Sequence, residues 1–369
     1  MAKEAVFNPW EVSGDIDYDK LVKKFGIKPL KELPDIFTDN ILFRRKFVFA
    51  ARDIGKIMLN IRDKKPFCVM TGLMPTGKFH IGHALVIRQA LFYQKLGAKV
   101  YIAVADIEAY HARNQSLENS RKIAIEEYLA NYVAMGLDLD KTEIYFQSER
   151  SKESEKSNTY YRLQNLFAKY STFNEFKAVY GEISPGKMLA ALLQAADMYH
   201  PQLKEFEGKP IPTIIPVGID QDPHIRLARG MARRLNKKFI PIASSYHFFL
   251  PGLKGGKMSA SDPNSFIAFT DTPSQVKNKI NKYAFSGGQK TIEEHKKKGG
   301  NPDIDVSFQY LKLFEEDDSK LEKIYSDYKS GELLTGELKK MAIEKINGYL
   351  KPIQKNYPSA LKKVKSMFA

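Results

Sequence analysis

Residues 72–83 read "GLMPTGKFHIGH". The first eight letters nearly spell a nucleotide-binding loop: Gly, four residues, then Gly-Lys and a residue that should be Ser or Thr. That residue is Phe79, which has no hydroxyl to hold Mg²⁺. Pro75 and a second signal, His80-Ile81-Gly82-His83, stand where the helix of such a loop should begin. The quartet is therefore read on its own physics. It follows the apolar run "FCVMTG" (67–72) and opens "HIGHALVIRQALFYQKLG" (80–97), which has helical spacing and closes at Gly97. Backbone N–H groups at a helix start attract phosphate. His80 and His83, three apart, share a helix face, and Gly82 between them lets a flat ligand approach the backbone.

Working outward, "KVYIAVAD" (99–106) and "EIYFQ" (143–147) read as further strands, separated by the Ser116-capped helix "LENSRKIAIEEYLANYVAMG" (117–136). Strand–helix–strand–helix–strand predicts an α/β fold with a Rossmann-like parallel sheet. Residues 151–200 read as a mainly helical insertion. "PTIIPVGID" (212–220) resumes the sheet, "HIRLARGMARRL" (224–235) is a helix, and "FIPIASSYHFF" (239–249) leads into a Gly-rich loop. "SFIAFTD" (265–271) is strand-like, and "TPSQ" (272–275) has the capping-box pattern that opens a helical tail. Upstream, residues 43–61 read as an amphipathic helix within an appended N-terminal segment, 1–66. The expected organisation is that segment, a catalytic domain over 67–262, and a C-terminal α-helical domain over 263–369.

The composition of the 369 residues is that of a globular chain, 43% hydrophobic and 27% charged. No apolar run approaches a membrane span, and a single cysteine, Cys68, excludes intrachain disulfides and cysteine-clustered metal sites. A cytoplasmic location is expected. The net charge of +15 favours a polyanionic partner, although only five of those charges fall in the tail from residue 263.

A second chemical signal lies in "GLKGGKMSASDPNS" (252–265). Lys257, after three glycines, is a cation placed to stabilise charge on a leaving pyrophosphate, with Ser259 and Ser261 as hydroxyl donors. HIGH and KMSAS, in this order across two sheet halves, form a specific combination. With "NPWEVSGDIDYDKL" (8–21), "GIDQDPHIRLAR" (218–229), "AFSGG" and "TIEEHKKKGGNPDIDVSFQYL" (284–311), and "LLTGELKK" (333–340), the sequence resembles the class I aminoacyl-tRNA synthetases. It looks closest to the tryptophanyl-tRNA synthetases of the archaeal and eukaryotic branch.

The resemblance implies two steps: ATP-dependent formation of an aminoacyl-adenylate, with Mg²⁺ accompanying ATP, then transfer to tRNA(Trp). It implies that His80, His83 and Lys257 contact phosphates, that Gly82 lies under the adenine, and that Asp220 binds the ribose. Thr76, Lys78, Met258, Ser259 and Ser261 complete the expected ATP site. For L-tryptophan the resemblance points to Glu108, Gln194 and Gln221 around the amino and carboxylate groups. Asp197, three residues after Gln194, is the expected acceptor for the indole N–H. Eukaryotic members use a Tyr and a Gln where this chain has Met70 and Ala103, which would pack on the ring instead. The tail is where such enzymes read the anticodon, and Lys277, Lys279, Lys282 and Lys290 are candidate tRNA contacts. The family pattern also implies a homodimer, for which the insertion offers Phe167, Tyr170, Phe173 and Phe176 as interface or core. Rival readings are a tyrosyl-specific enzyme, another HIGH-type nucleotidyltransferase, and a silent nucleic-acid-binding paralogue.

Overall fold

The computed structural model describes residues 18–30, 33–235, 238–256, 258 and 262–369. Among them are seven strands: β1 (Lys28–Pro29), β2 (Val48–Arg52), β3 (Cys68–Leu73), β4 (Lys99–Val104), β5 (Thr142–Phe146), β6 (Thr213–Gly218) and β7 (Ala243–His247). They form one sheet in the order β1-β2-β7-β6-β3-β4-β5. From β7 to β5 every pairing is parallel, while β1 and β2 add an antiparallel edge. The chain leaves β3 towards β4 on one side and returns through β6 on the other. The strand order reverses between β3 and β6, and in such sheets ligands bind beyond the carboxyl ends of the strands at that crevice.

Side-chain alternation explains both faces. Val69, Val100, Ile102 and Val104 bury into one core with Leu85, Tyr128, Ile346 and Leu350. Cys68, Met70, Tyr101, Ala103 and Tyr145 point the other way, into a second core with the insertion and the helix Asp222–Arg234. The first face is covered by helices from the HIGH region and by the long C-terminal helix Thr335–Met367. The second is covered by the insertion helices Ser154–Ala168, Phe173–Tyr180 and Pro185–Tyr199. Phe167 and Phe176 are core residues of this face, whereas Phe173 is 57% exposed.

The predicted caps are present. Ser116 accepts from the Asn119 amide, and Thr272 with Gln275 makes a capping box around Pro273. Between Ala124 and Leu129 the predicted 117–136 helix widens into a π turn, a feature frequent beside functional sites.

Two element readings are corrected. Residues 43–61 are not one helix: Val48–Arg52 is β2, paired with β7, before a helix over Gly55–Arg62. Residues 265–271 are not a strand. Asp271 turns back to accept from the Ala268 amide at 2.8 Å, leaving a single bridge between Ala268 and His80.

Candidate active site

The carboxyl ends of β3, β4, β5, β6 and β7 open into a cleft of about 1010 Å³. Each strand delivers its first residues past the sheet to it: Met74 and Thr76 after β3, Glu108 after β4, Gln147 after β5, Asp220 and Gln221 after β6, Phe249 after β7.

At one end stands the helix Ile81–Lys95. His80 is its N-cap, and His80 Nδ1 accepts from the Gly82 amide at 3.1 Å. An accepting Nδ1 carries no proton, so the proton of a neutral ring sits on Nε2. The His80 and His83 rings stack with centroids 3.7 Å apart. Burial lowers both, His80 to about 2 with help from its neighbour and His83 to about 4. Both imidazoles are therefore neutral at physiological pH, and His83 Nδ1 is buried without a partner. A Cβ on Gly82 would come within 2.8 Å of Met258 Sδ and 3.1 Å of the His80 ring, so any side chain there would displace one of them. Phe79, fully buried, stacks beside His83 and tilts onto Phe269. That anchor accounts for the missing hydroxyl of the phosphate loop: the position faces the core.

Asp220 and Gln221 cross the cleft on the turn after β6. Gln221 Nε2 donates to Asp220 Oδ2 at 3.2 Å, and a Cβ on Gly218 would sit 2.5 Å from Asp220 Oδ1. Gly218 thus lets the carboxylate fold back over its own strand end.

The far end is drier. Asp197, on the helix Pro185–Tyr199, is 4% exposed. Its Oδ1 accepts from the Tyr145 and Tyr160 hydroxyls at 2.6 and 2.5 Å, and its Oδ2 from Gln147 Nε2 at 2.7 Å. Burial pushes its carboxyl up to about 6 in spite of these donors. Behind the cluster, the Arg150 guanidinium lies 4.0 Å over the Tyr145 ring and pairs with Glu143 at 2.7 Å. Gln194, one turn earlier on the helix, donates to buried Glu108. Met70 and Ala103 line the wall between the two ends.

The cleft therefore gathers Met70, Thr76, His80, Gly82, His83, Glu108, Gln194, Asp197, Asp220, Gln221 and Met258. Lys78 does not line it: its ammonium is 2.5 Å from Glu127 on the π turn. Lys257, Ser259 and Ser261 lie outside the described residues. Of the tail lysines, Lys279 has its ammonium 2.7 Å from Asp271 and donates to the Phe266 carbonyl. Lys277, Lys282 and Lys290 are exposed. Sequence reasoning missed Tyr145, Gln147 and Tyr160. The signal for Gln147 was its place directly after "EIYF", at a strand's carboxyl end.

A family model described as tRNA synthetases class I (W and Y) matches residues 62–351. The chain belongs to that family. It is similar to the tryptophan–tRNA ligase of Methanocaldococcus jannaschii, 42% identical with 95% of each chain covered. It is also similar to that of Aeropyrum pernix, 40% identical over 100% of this chain and 97% of the relative. Among solved structures, tryptophanyl-tRNA synthetase from Aeropyrum pernix superposes with a TM-score of 0.88 at 40% identity, covering 95% of both chains. The tryptophan-bound enzyme from Encephalitozoon cuniculi superposes with a TM-score of 0.78 at 27% identity, covering 93% of this chain and 96% of that one. As a class I synthetase the chain uses ATP. Among the described residues no cluster of His, Cys, Asp and Glu is arranged to hold a metal ion, and no helix is long and apolar enough to cross a membrane.

Proposed function

We propose that one cleft carries both substrates of adenylate formation, ATP at the His80–His83 end and L-tryptophan at the Asp197 end. The chain is a tryptophan–tRNA ligase, a class I aminoacyl-tRNA synthetase (EC 6.1.1.2). It activates L-tryptophan with ATP and transfers the acyl group to tRNA(Trp), releasing AMP and diphosphate. The observation that carries the residue roles is the meeting of HIGH residues, Asp220 and the Glu108–Gln194–Asp197 set around one cavity.

A tryptophan carboxylate oxygen attacks the α-phosphorus, and the bond to the bridging oxygen breaks with its electron pair leaving on diphosphate. The carboxylate is already a competent nucleophile, so the protein's task is placement and charge stabilisation. Neutral His80 offers an Nε2–H donor to phosphate oxygens, and Lys257 supplies the positive charge, with Ser259 and Ser261 as further donors. Thr76 stands at the loop before the helix. Gly82 gives the adenine a close seat beside Met258, and Asp220 takes the ribose hydroxyls. Glu108, held by Gln194, meets the α-ammonium, and Gln194 and Gln221 orient the carboxylate. Asp197 forms the polar end of the indole pocket. Mg²⁺ arrives with ATP as part of the substrate: Phe79 is in the core and offers it no ligand.

Beyond the cleft, the reading assigns anticodon recognition to the helical part from residue 263, where exposed Lys277, Lys282 and Lys290 are the candidate contacts. It assigns a homodimer to the insertion face bearing exposed Phe173 and Leu189, and a cytoplasmic location. Exchange of labelled diphosphate into ATP tests the core of it. Exchange that depends on tryptophan and not on tyrosine is the expected result; exchange with tyrosine, or none, refutes it.

A further inference from the structure

Among the described residues, the buried cluster around Asp197 leaves two side-chain atoms without a partner, Arg150 Nε and Gln147 Oε1, and of these two residues Gln147 is the one that lines the cleft. Gln147 is fully buried and lines the cleft, yet its Oε1 has no hydrogen-bond partner. Its other groups are committed. The Gln147 amide N–H bonds to the Val104 carbonyl at 3.0 Å, its own carbonyl accepts from the Tyr161 hydroxyl at 2.8 Å, and Nε2 donates to Asp197 Oδ2 at 2.7 Å. Backbone and amide nitrogen are thus pinned, and the amide oxygen alone is left over.

Its orientation follows from its neighbour. A carboxylate only accepts, so an amide beside it turns its NH₂ inward; the flipped amide would set oxygen against oxygen. Asp197 in turn already accepts from three donors: both tyrosine hydroxyls point at Oδ1 and the Gln147 amide at Oδ2. The cluster therefore presents an acceptor at a place lined with apolar Met70 and Ala103. Indole is an apolar ring with a single polar feature, an N–H donor. Buried polar atoms in folded proteins find partners, so an orphan acceptor beside a ligand cavity is placed to take a donor from the ligand.

We infer that Gln147 Oε1 is the atom that reads the indole N–H, and that Asp197 is a positioning residue that holds the Gln147 amide in the accepting orientation. This rests on the proposed tryptophan pocket and names its contact. The eleven cleft residues expected from the sequence did not include Gln147; it enters on the geometry of this chain alone.

The test uses 3-(1-benzothiophen-3-yl)-L-alanine, in which sulfur replaces the indole N–H with little change of shape. In diphosphate exchange the wild-type chain should prefer tryptophan over this analogue by about ten- to a hundredfold in kcat/KM, the loss expected when a buried acceptor is left unsatisfied. Gln147→Met should bring the two amino acids to within about threefold of each other, with KM for ATP unchanged. Tyr160→Phe, which removes one donor to Asp197 and leaves Gln147 in place, should keep the preference. A Gln147→Met enzyme that retains the wild-type preference overturns the assignment. Where that variant does not fold, a crystal structure of the wild-type chain with tryptophan decides. Gln147 Oε1 about 3 Å from the indole nitrogen supports the inference, and an Asp197 oxygen in that place overturns it. Failure of the wild-type chain to exchange with tryptophan at all would instead strike the underlying reading.

Discussion

The two ends of the cleft solve different electrostatic problems. At the amino-acid end Asp197 is surrounded by donors before any ligand arrives: two tyrosine hydroxyls, one amide, and Arg150 close behind. At the nucleotide end two stacked imidazoles are stripped of charge by burial, and one ring nitrogen waits unpaired. The first end is a finished dry socket for an almost apolar ring. The second is a pair of uncharged rings, and on the proposed function the charge at that end comes with the triphosphate. A fixed socket suits discrimination, because an unmatched polar group cannot be rescued by water. An end completed by its ligand suits catalysis, because its charge is matched where charge develops.

The contrast is broken most sharply at Lys257. Its replacement by Ala should lower kcat for diphosphate exchange by about 10²–10³-fold, as loss of a donor to developing charge typically does. Tryptophan binding, measured calorimetrically without ATP, should be unchanged. A loss of tryptophan affinity of similar size would mean that the two ends are not separate. The mirror experiment is Asp197→Ala. It leaves three buried donors facing a void and should cost tryptophan kcat/KM about 1–3 kcal/mol, with KM for ATP held. If KM for tryptophan does not move, Asp197 has no place in the pocket.

Much of this division was legible in the sequence because the nucleotide end is built from contiguous motifs. HIGH and the turn with Asp220 each announce themselves within a few residues, and both line the cleft. The buried cluster at the amino-acid end draws on β5 and on two separate insertion helices, Ser154–Ala168 and Pro185–Tyr199, and of that cluster only Asp197, through its spacing from Gln194, was visible. Gln147 was hidden because its role comes from an orphan oxygen, which no one-dimensional pattern carries. β2 was misread for a similar reason. The stretch 43–61 reads as an amphipathic helix, but within it Val48–Arg52 pairs with β7 almost two hundred residues away, and that pairing overrides the local reading. Lys279 looked like one more basic residue until Asp271 was placed beside it.

Acidity sharpens the comparison, since the two ends titrate with opposite sense. Asp197, raised to about 6 from an ordinary 3.8, is penalised as an anion in the fold. Its contribution to stability is therefore greatest below about pH 4 and declines as pH rises from there through 6. His80 and His83 are lowered from 6.5, so they resist protonation in the fold, and their contribution is lost as pH falls below 6.5. Melting temperature alone would mix these effects. Tryptophan binding separates them: protonated Asp197 no longer fixes the Gln147 amide, so KM for tryptophan should rise about tenfold between pH 7 and 5. Asp197→Asn should flatten that profile. A wild-type profile without an inflection near 6 would show that Asp197 keeps its charge, or lacks it, throughout the range.

The smallest expected effect concerns Lys78, which the synthetase resemblance puts in the ATP site and which the structure pairs with Glu127. Its ammonium faces Glu127 on the π turn, outside the cleft, and its side chain is 56% exposed. Exposed pairs of this kind contribute about 0–1 kcal/mol. Lys78→Ala should thus alter KM for ATP by less than about threefold and leave the melting temperature almost unmoved. Glu127→Gln provides the counterpart. If Lys78 serves the nucleotide only when released, loss of its captor should improve ATP binding, and Lys78→Ala in that background should undo the gain. Indifference in both variants leaves the phosphate end to His80, His83 and Lys257. A tenfold loss from Lys78→Ala alone would mean that the lysine leaves Glu127 for the triphosphate, and the nucleotide end would then assemble from two arriving cations.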